Sequence, residues 1–255
     1  ASNFSGWDIA TTGGSASIWR IYEGQTGPLL RSFLQSVTLS TDASAGNKTY
    51  DGHVATGTTT YTGSSLGSNL DTSRLLGNLS YKTNSQNAGT YSNADGSLIL
   101  DGLYSGQQGY DISYADTSLT IGKAALTITA NDASKTYDGL PFSGGNGVTY
   151  NGFVNNENAS VLGGSLTYGG TAQGATNAGT YALDASGLTS GNYVISYGGG
   201  NLTINKAKAT VTANSGNLIY NGQQQSLSGF TASGLVNGET ERVLSGITTR
   251  GGTGT

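Results

Sequence analysis

The sequence predicts an all-β protein, built as an elongated tandem array of small β-sandwich-like modules. Short segments, such as residues 126–130 and 202–204, alternate apolar with polar side chains, which is typical of half-buried strands. Asn-Gly pairs beginning at Asn151, Asn221 and Asn237 separate short apolar runs, where tight turns are expected. A Lys-Thr-Tyr-Asp-Gly motif also recurs, in exact or looser form, every 83 to 87 residues, and such a period indicates repeated structural units.

Four motifs carry the recurrence, and they keep one order along the chain. Lys-Thr-Tyr-Asp-Gly occupies residues 48–52 and 135–139, with a looser copy, Leu-Ile-Tyr-Asn-Gly, at 218–222. The other three are Asn-Ala-Gly-Thr-Tyr at 87–91 and 177–181, Tyr-x-Ile-Ser-Tyr at 110–114 and 193–197, and Leu-Thr-Ile at 119–121 and 202–204. Recurrence in one order at one period indicates repeated modules with a common fold.

The motifs divide the chain into a β-rich N-terminal segment and three modules, at residues 1–36, 37–123, 124–206 and 207–255. The third copy lacks the later motifs, so we expect an incomplete module. Either this is a fragment boundary, or a neighbouring subunit donates the missing strands to build an extracellular filament. A β-grasp-like module with one short helix is the alternative fold, and it requires residues 158–162 to form that helix.

Composition narrows the possible functions. Cysteine is absent, so a disulfide scaffold is excluded, and only 10% of the 255 residues are charged. The formal net charge is −4, without a basic run, so we expect neither nucleic acid nor an anionic membrane surface as partner. The apolar stretches are much shorter than the roughly 20 residues that span a bilayer, so no membrane insertion is expected.

The Tyr-Asp-Gly motif has a structural interpretation. Tyrosine would bury its ring at the end of a strand, aspartate would accept a hydrogen bond from a nearby backbone amide, and glycine would take a positive φ. The competing interpretation makes Asp51 and Asp138 cation ligands, but one carboxylate per motif is few for Ca²⁺. Asn-Ala-Gly-Thr-Tyr is similar to the tyrosine corner of immunoglobulin-like sandwiches.

The sequence offers little for catalysis, and we expect no enzyme activity, cofactor or metal. His53 is the only histidine and lies outside any recognisable motif, so we expect a solvated loop residue. Paired carboxylates hydrolyse glycosides without histidine, and four aspartates lie close together in sequence: Asp95, Asp101, Asp111 and Asp116. Their turn-like surroundings, and the lack of most of them in the second copy, favour a structural role.

Trp7 and Trp19 lie outside the repeats and are the candidate ligand-binding residues, as an aromatic platform for a glycan. The alternative is that they cap the end of a β-helix.

The motifs at 48–52, 87–91 and 119–123 and their later copies resemble MBG/YDG-type repeat domains of filamentous-haemagglutinin-like adhesins, over about residues 37–255. Residues 4–8, 18–24 and 28–30 resemble the tail that follows GLUG-type β-helix repeats in the same proteins. The third copy departs from the pattern, with Asn221 in place of aspartate. The resemblance implies two-partner secretion through an outer-membrane transporter, the surface or extracellular matrix of a Gram-negative bacterium, and a role in attachment, aggregation or biofilm.

Two functions follow as hypotheses. The first is a structural stalk, because the connections at residues 122–124 and 205–208 are too short to let neighbouring modules swing freely. The second is a carbohydrate-binding module, in which repeated tyrosine, asparagine and glutamine side chains bind host or matrix glycans multivalently. Copies of the chain itself are a further expected partner.

Overall fold

The computed structural model describes residues 3–249, and apart from six short 3-10 helices the regular elements in this range are β-strands. This confirms the predicted all-β class. Helical turns are confined to short 3-10 segments: Arg31–Phe33, Ala43–Gly46, Gly67–Asn69, Thr72–Arg74, Ala159–Val161 and Glu241–Val243. Within the described range, no helix has the length and apolar character needed to cross a membrane.

The chain folds as two units. The first comprises residues 3–126 together with Gly152–Val161 and Ser190–Val194. Among the described residues, the second comprises Thr127–Asn151, Leu162–Thr189 and residues 195–249.

The first unit begins with a small sheet of three two-residue strands: β1 (Ile9–Ala10), β2 (Trp19–Arg20) and β3 (Leu29–Leu30). Strands β1 and β2 are parallel, with Ile9 opposite Trp19, whereas β2 and β3 are antiparallel. The Tyr22 hydroxyl donates to the carbonyl of Tyr110 at 2.5 Å and accepts from the Ile112 amide at 3.1 Å. The buried Tyr22 therefore fixes the N-terminal segment to residues 110–112.

Nine further strands belong to the first unit. They are β4 (Gln35–Thr41), β5 (Lys48–Thr49), β6 (Thr56–Thr58), β7 (Tyr61–Ser64), β8 (Leu76–Thr83), β9 (Gly89–Ser92), β10 (Leu98–Tyr104), β11 (Tyr110–Tyr114) and β12 (Ser118–Gly122). They form three sheets, with strand orders β11-β4-β7, β10-β8-β6 and β5-β12-β9. Strands β4 and β11 are parallel, with Val37 opposite Ile112.

Two of these sheets pack face to face around one core. Val37 and Leu39 of β4 alternate with exposed residues, as the period-two pattern predicts, and both are buried. Their cluster also contains Leu79 of β8 and Leu103 of β10, from the second sheet. Each such buried side chain contributes about 1.5–3 kcal/mol, so this sandwich core provides much of the unit's stability.

The remaining strands begin at the boundary between the two units. They are β13 (Ala124–Ala130), β14 (Ala133–Thr136), β15 (Val148–Asn151), β16 (Gly163–Gly169), β17 (Gly179–Thr189), β18 (Tyr193–Gly198), β19 (Gly200–Asn205), β20 (Thr210–Ala213) and β21 (Phe230–Ser233). Their sheets have the orders β15-β13-β18, β14-β19-β17-β16 and β20-β21. The core of the second unit is built around Leu183, Leu202 and Ile204.

Sheet order repeats with the sequence motifs. The order β11-β4-β7 in the first copy corresponds to β18-β13-β15 in the second, and β5-β12-β9 corresponds to β14-β19-β17. In the third copy, β20 and β21 correspond to β4 and β7. No strand equivalent to β11 or β18 pairs with β20 within residues 3–249.

The segment at residues 158–162, on which the alternative fold depended, contains only the three-residue 3-10 turn Ala159–Val161. None of that turn's residues is buried. A β-grasp module needs a helix packed on its sheet, so the structure favours the sandwich-like arrangement.

Candidate functional site

Each Tyr-Asp-Gly motif forms the same tight turn. Asp51 Oδ1 accepts from the His53 amide at 3.0 Å, and Asp138 Oδ1 accepts from the Leu140 amide at 3.0 Å. The glycines that follow take positive φ, 78° at Gly52 and 72° at Gly139. The predicted turn geometry is therefore present in both copies.

The third copy keeps this turn although its sequence differs. Asn221 Oδ1 accepts from the Gln223 amide at 3.0 Å, and Gly222 has φ 74°. An asparagine oxygen makes the same hydrogen bond as an aspartate, so the substitution preserves the local fold.

Lysine neutralises the aspartate in the first two turns. Lys48 Nζ lies 2.6 Å from Asp51 Oδ1, and Lys135 Nζ lies 2.7 Å from Asp138 Oδ1. The lysine hydrogen bond is the main cause that lowers the pKa of each carboxyl, and the neighbouring amide adds to it. A carboxylate already satisfied in this way is a structural element of the turn. Across the described residues no cluster of acidic, histidine or cysteine side chains is suited to a metal ion.

Tyr50 contacts residues of the next repeat. We call this contact the first joint, and its residues are Tyr50, Gly52, Asn155, Glu157 and Tyr193. All five residues belong to the first unit. The hydroxyl of Tyr50 donates to Glu157 Oε1, and that of Tyr193 donates to Glu157 Oε2. The two rings meet edge to face, with centroids 5.6 Å apart. One carboxylate thus holds two tyrosines from successive repeats.

Burial and the nearby carboxylate change the acidity of both phenols. Desolvation, with Glu157 as second cause, raises the pKa of Tyr50 to about 12. The same two causes raise the pKa of Tyr193. Both hydroxyls therefore stay protonated at neutral pH and remain hydrogen-bond donors.

Asparagine closes the other side of the first joint. Asn155 takes φ 50°, an uncommon conformation that asparagine tolerates, and its Nδ2 lies 3.4 Å from the carbonyl oxygen of Gly52. A β-carbon placed on Gly52 would lie 2.5 Å from the Asn155 Cβ. Glycine is thus required at this position both for its φ and for the close approach of the asparagine.

The second joint, formed by Tyr137, Gly139, Asn237 and Glu239, repeats this pattern within the second unit. The Tyr137 hydroxyl donates to Glu239 Oε1, and Asn237 Nδ2 donates to the Gly139 carbonyl at 3.0 Å. Asn237 has φ 50°, and a β-carbon on Gly139 would lie 2.6 Å from the Asn237 Cβ. The hydrogen bond to Glu239 is the main cause that raises the pKa of Tyr137.

Sequence reasoning did not find the partners of these turns. Asn-x-Glu occurs at residues 155–157 and 237–239, in each case one module after a Tyr-Asp-Gly turn. The recurrence of a glutamate at the same place, in a chain with few charges, is the signal that could have found it.

The tyrosine-corner interpretation agrees with the structure. The Tyr91 hydroxyl donates to the carbonyl of Asn87, and the Tyr181 hydroxyl donates to that of Asn177 at 2.9 Å. In both copies the bond closes the loop four residues upstream, so this motif is architectural.

Trp7 and Trp19, the predicted ligand-binding residues, are brought together in the N-terminal segment. Their ring centroids lie 5.1 Å apart, and Phe4 adds a third ring 5.7 Å from Trp7. Trp7 is 51% exposed, so one aromatic face of this cluster is open to solvent.

The remaining candidate residues lie in different surroundings. His53 is exposed, with its Nδ1 3.0 Å from the Asp51 carbonyl oxygen. Asp95 accepts a hydrogen bond from the Ser97 amide, and Asp101 accepts one from the Gly102 amide. These contacts support a structural role for the three residues.

Asp111 was predicted only as one of the clustered aspartates, and it is buried in an ion-pair cluster. It is 2% exposed and pairs with Arg31 and, at 3.3 Å, with Arg20 Nε. Arg20 also covers the Tyr22 ring at 4.1 Å. Removing one partner of such a buried pair costs about 3–5 kcal/mol, so this cluster anchors the N-terminal segment.

The sheets of successive repeats have the same strand order, and each joint uses a tyrosine, a glycine, an asparagine and a glutamate. These features define the class of tandem β-repeat proteins. Residues 126–203 match the family described as "MBG domain (YGX type)". The match covers the middle repeat, from within β13 to within β19. The matched region is therefore an MBG-type repeat domain, as the sequence motifs predicted.

Among solved structures, the chain is similar to a cell surface adhesin from Lactobacillus reuteri. The two are 30% identical, the similarity covers 32% of this chain and 97% of that one, and the TM-score is 0.25. No curated protein matches the chain.

Proposed function

We propose that this chain is the repeat region of a bacterial surface adhesin, with a structural rather than catalytic role. The observation that carries the proposal is the joint, which occurs twice with the same tyrosine, glycine, asparagine and glutamate. A contact repeated in this way couples each module to the next, which is what a stalk requires.

Burial of four of the repeated tyrosines favours the stalk over a multivalent carbohydrate-binding surface. Such a surface needs aromatic rings exposed in a row. Four of the tyrosines that recur with the motifs are buried: Tyr50, Tyr91, Tyr110 and Tyr193. Their rings contribute to packing and are not available to stack on sugars.

A second candidate function, glycan binding by the N-terminal part of the first unit, is favoured by a separate observation. A cleft of about 480 Å³ is lined there by apolar and aromatic side chains together with polar ones, which include Arg20, Glu23 and Asp101. Convergent donors and acceptors beside aromatic rings are typical of sites for neutral polar ligands. The exposed face of Trp7 lies in the same segment.

The finer expectations rest on the sequence resemblance and stay predictions. They are export by two-partner secretion, an outer-membrane transporter as partner, a Gram-negative cell surface, and a role in aggregation or biofilm.

A glycan array probed with the purified chain separates the two functions. A stalk predicts no retention of any glycan at low or moderate salt. Retention that is lost in Trp7→Ala or Asp101→Ala, and kept in Val194→Ala, would establish the carbohydrate-binding function instead. Val194 is 60% exposed and outside the cleft, so it is a suitable control.

A gain-of-reach experiment tests the stalk directly. The chain is inserted between a known binding domain and a cell anchor, and attachment to ligand-coated beads is measured. A stalk restores attachment when the ligand is set behind a polymer layer that blocks the short version. Equal attachment with and without the chain would contradict the proposal.

A further inference from the structure

We propose that the third copy is a strand acceptor, which binds an extended segment bearing Asn-Tyr-x-Ile-Ser-Tyr from outside residues 3–249. The acceptor consists of the free edge of β20 and a cavity of about 330 Å³ beside the second joint. This inference does not depend on an adhesive role for the chain, since it rests on a comparison of the two joints.

The first joint shows what such a segment does. Asn192 and Tyr193 enter it together at the start of β18. Asn192 Oδ1 accepts from the Ala88 amide at 2.9 Å, and its Nδ2 donates to Asn87 Oδ1 at 3.1 Å. The Tyr193 hydroxyl donates to Glu157 and accepts from the Val154 amide at 3.1 Å. Tyr193 is 2% exposed, so this pair fills the centre of the joint.

Nearly every partner of Asn192 and Tyr193 has a counterpart around the cavity at the second joint. The lining residues that correspond by motif to Tyr50, Asn87, Ala88, Ala124, Phe153, Val154 and Glu157 are Tyr137, Asn177, Ala178, Ala207, Leu235, Val236 and Glu239. The cavity therefore corresponds to the space that Asn192 and Tyr193 fill at the first joint.

Hydrogen bonding at Glu239 agrees with this correspondence. Glu157 accepts from one tyrosine on each carboxylate oxygen. Glu239 accepts from Tyr137 on Oε1, and within residues 3–249 no side chain donates to Oε2. Ala178, like the neighbouring Asn177, is exposed, whereas Ala88 is partly covered.

One edge of β20 has no neighbouring strand within the described residues. It is the edge that corresponds to the side of β4 that pairs with β11. In the first copy β4 has β11 beside it, with Thr38 and Ser113 hydroxyls 2.9 Å apart. In the second copy the Thr127 and Ser196 hydroxyls lie 3.1 Å apart. The corresponding β20 pairs only with β21 within the described residues, and all four of its residues are exposed.

One position that is buried in the first two copies is exposed in the third. Val211 of β20 occupies the position of Leu39 and Ile128, which are both fully buried. Val211 is 40% exposed. An added strand would cover it, and an unpaired edge with apolar residues is a ready site for strand addition.

The occupant follows from the chain's own strands. The two segments with Tyr-x-Ile-Ser-Tyr, β11 and β18, are already paired in their sheets. A further strand of the same type is needed, and it supplies an asparagine for Asn177 and Ala178, a tyrosine for Glu239, and apolar side chains over β20.

A labelled peptide with the sequence of residues 190–198, Ser-Gly-Asn-Tyr-Val-Ile-Ser-Tyr-Gly, tests the proposal on the intact chain. Fluorescence anisotropy should show saturable one-to-one binding. A peptide with alanine at the position of Tyr193 should bind at least about tenfold more weakly, because it loses a hydrogen bond to a carboxylate and the ring that fills the cavity. Failure of the parent peptide to bind a folded, monomeric chain would overturn the proposal.

Two variants of the chain locate the binding. Ala178→Trp fills the cavity from an exposed position and should weaken binding by about tenfold or more. Ala94→Trp, at an exposed alanine of the first unit, is the matched control and should bind normally. Equal loss in both variants, or in neither, would contradict the assignment.

Hydrogen exchange provides a second measurement. Peptide binding should protect the amides of residues 207–213 and leave β4 unchanged. Protection elsewhere would disprove the proposed site. If instead the chain dimerises and excess peptide does not dissociate the dimer, the occupant is a second copy of the chain, and the proposal of a separate strand is wrong.

Discussion

The first and second joints use the same turn and the same glutamate, yet they differ in how far they are completed. At the first joint Glu157 binds two tyrosines, and Tyr50 is 2% exposed. At the second, Glu239 binds Tyr137 alone, and a cavity of about 330 Å³ lies beside it. The Tyr-Asp-Gly turn and the Asn-x-Glu loop therefore form a joint by themselves, while the later strand supplies its buried centre.

The largest effect is expected from removing the tyrosine of the turn. Tyr50→Ala should reduce the free energy of unfolding of the first unit by about 3–5 kcal/mol, since it opens a cavity and leaves Glu157 with one donor. Tyr220→Ala should change it by less than about 0.5 kcal/mol, because Tyr220 is 82% exposed. Urea unfolding followed by tyrosine fluorescence measures both. Similar losses at the two positions would show that the joint does not stabilise the chain.

Replacing the glutamate should reduce the free energy of unfolding by different amounts at the two joints. Glu157→Gln should cost about 2–3 kcal/mol, because an amide can accept from one tyrosine but presents its NH₂ group to the other. Glu239→Gln has a single tyrosine to satisfy and should cost less than about 1 kcal/mol. Calorimetric unfolding of the two variants gives the comparison, which fails if Glu239→Gln is the more destabilising.

Glycine substitutions test the close approach of asparagine. Gly52 and Gly222 have similar φ values, 78° and 74°, so alanine is strained at both. Only at Gly52 does the added methyl also meet Asn155, whereas nothing lies within 4 Å at Gly222. Gly52→Ala should therefore be about 1–3 kcal/mol more destabilising than Gly222→Ala in thermal unfolding. Equal effects would mean that backbone strain is the whole cost.

Alkaline pH should weaken the first joint. The pKa of Tyr50 is raised to about 12 in the folded chain, so between pH 10 and 12 the unfolded state loses this proton first. Stability from this group is complete below about pH 10 and decreases as pH rises towards 12. Tyr50→Phe should remove that part of the pH dependence, which is measured by urea midpoints across the range. An unchanged pH dependence would contradict the raised pKa.

The smallest effect is expected from the exposed ion pair of the turn. Asp51 is 53% exposed, so solvent screens its attraction to Lys48, and Lys48→Met should cost less than about 1 kcal/mol. Because the pKa of Asp51 is lowered, the contribution should be present above about pH 4 and disappear as pH falls through the folded-state pKa. A double-mutant cycle with Asp51→Asn at pH 3 and pH 7 measures it.

Local features of the fold could be predicted from sequence, because they depend on neighbouring residues. The period-two strands, the turn at Asp51 and the hydrogen bond from Tyr91 to its own loop are of this kind. The joints were missed because Glu157 lies 107 residues from Tyr50, and no local pattern links the two. The sequence places Asp111 among turn aspartates, because its pairing with Arg20 and Arg31 depends on how the N-terminal segment packs on β11.

The Asn-x-Glu loop has a consequence for how such a gene can change in length. Modules two and three each present this loop to the turn before them, whereas residues 59–75 of module one contain no such sequence. A middle module carries both the Asn-x-Glu loop and the Tyr-Asp-Gly turn. Recombination between copies could therefore add or delete one module and leave a tyrosine opposite a glutamate at each new boundary. The first module lacks an Asn-x-Glu sequence in residues 59–75, so a copy of it placed after another module would leave the preceding tyrosine without that glutamate.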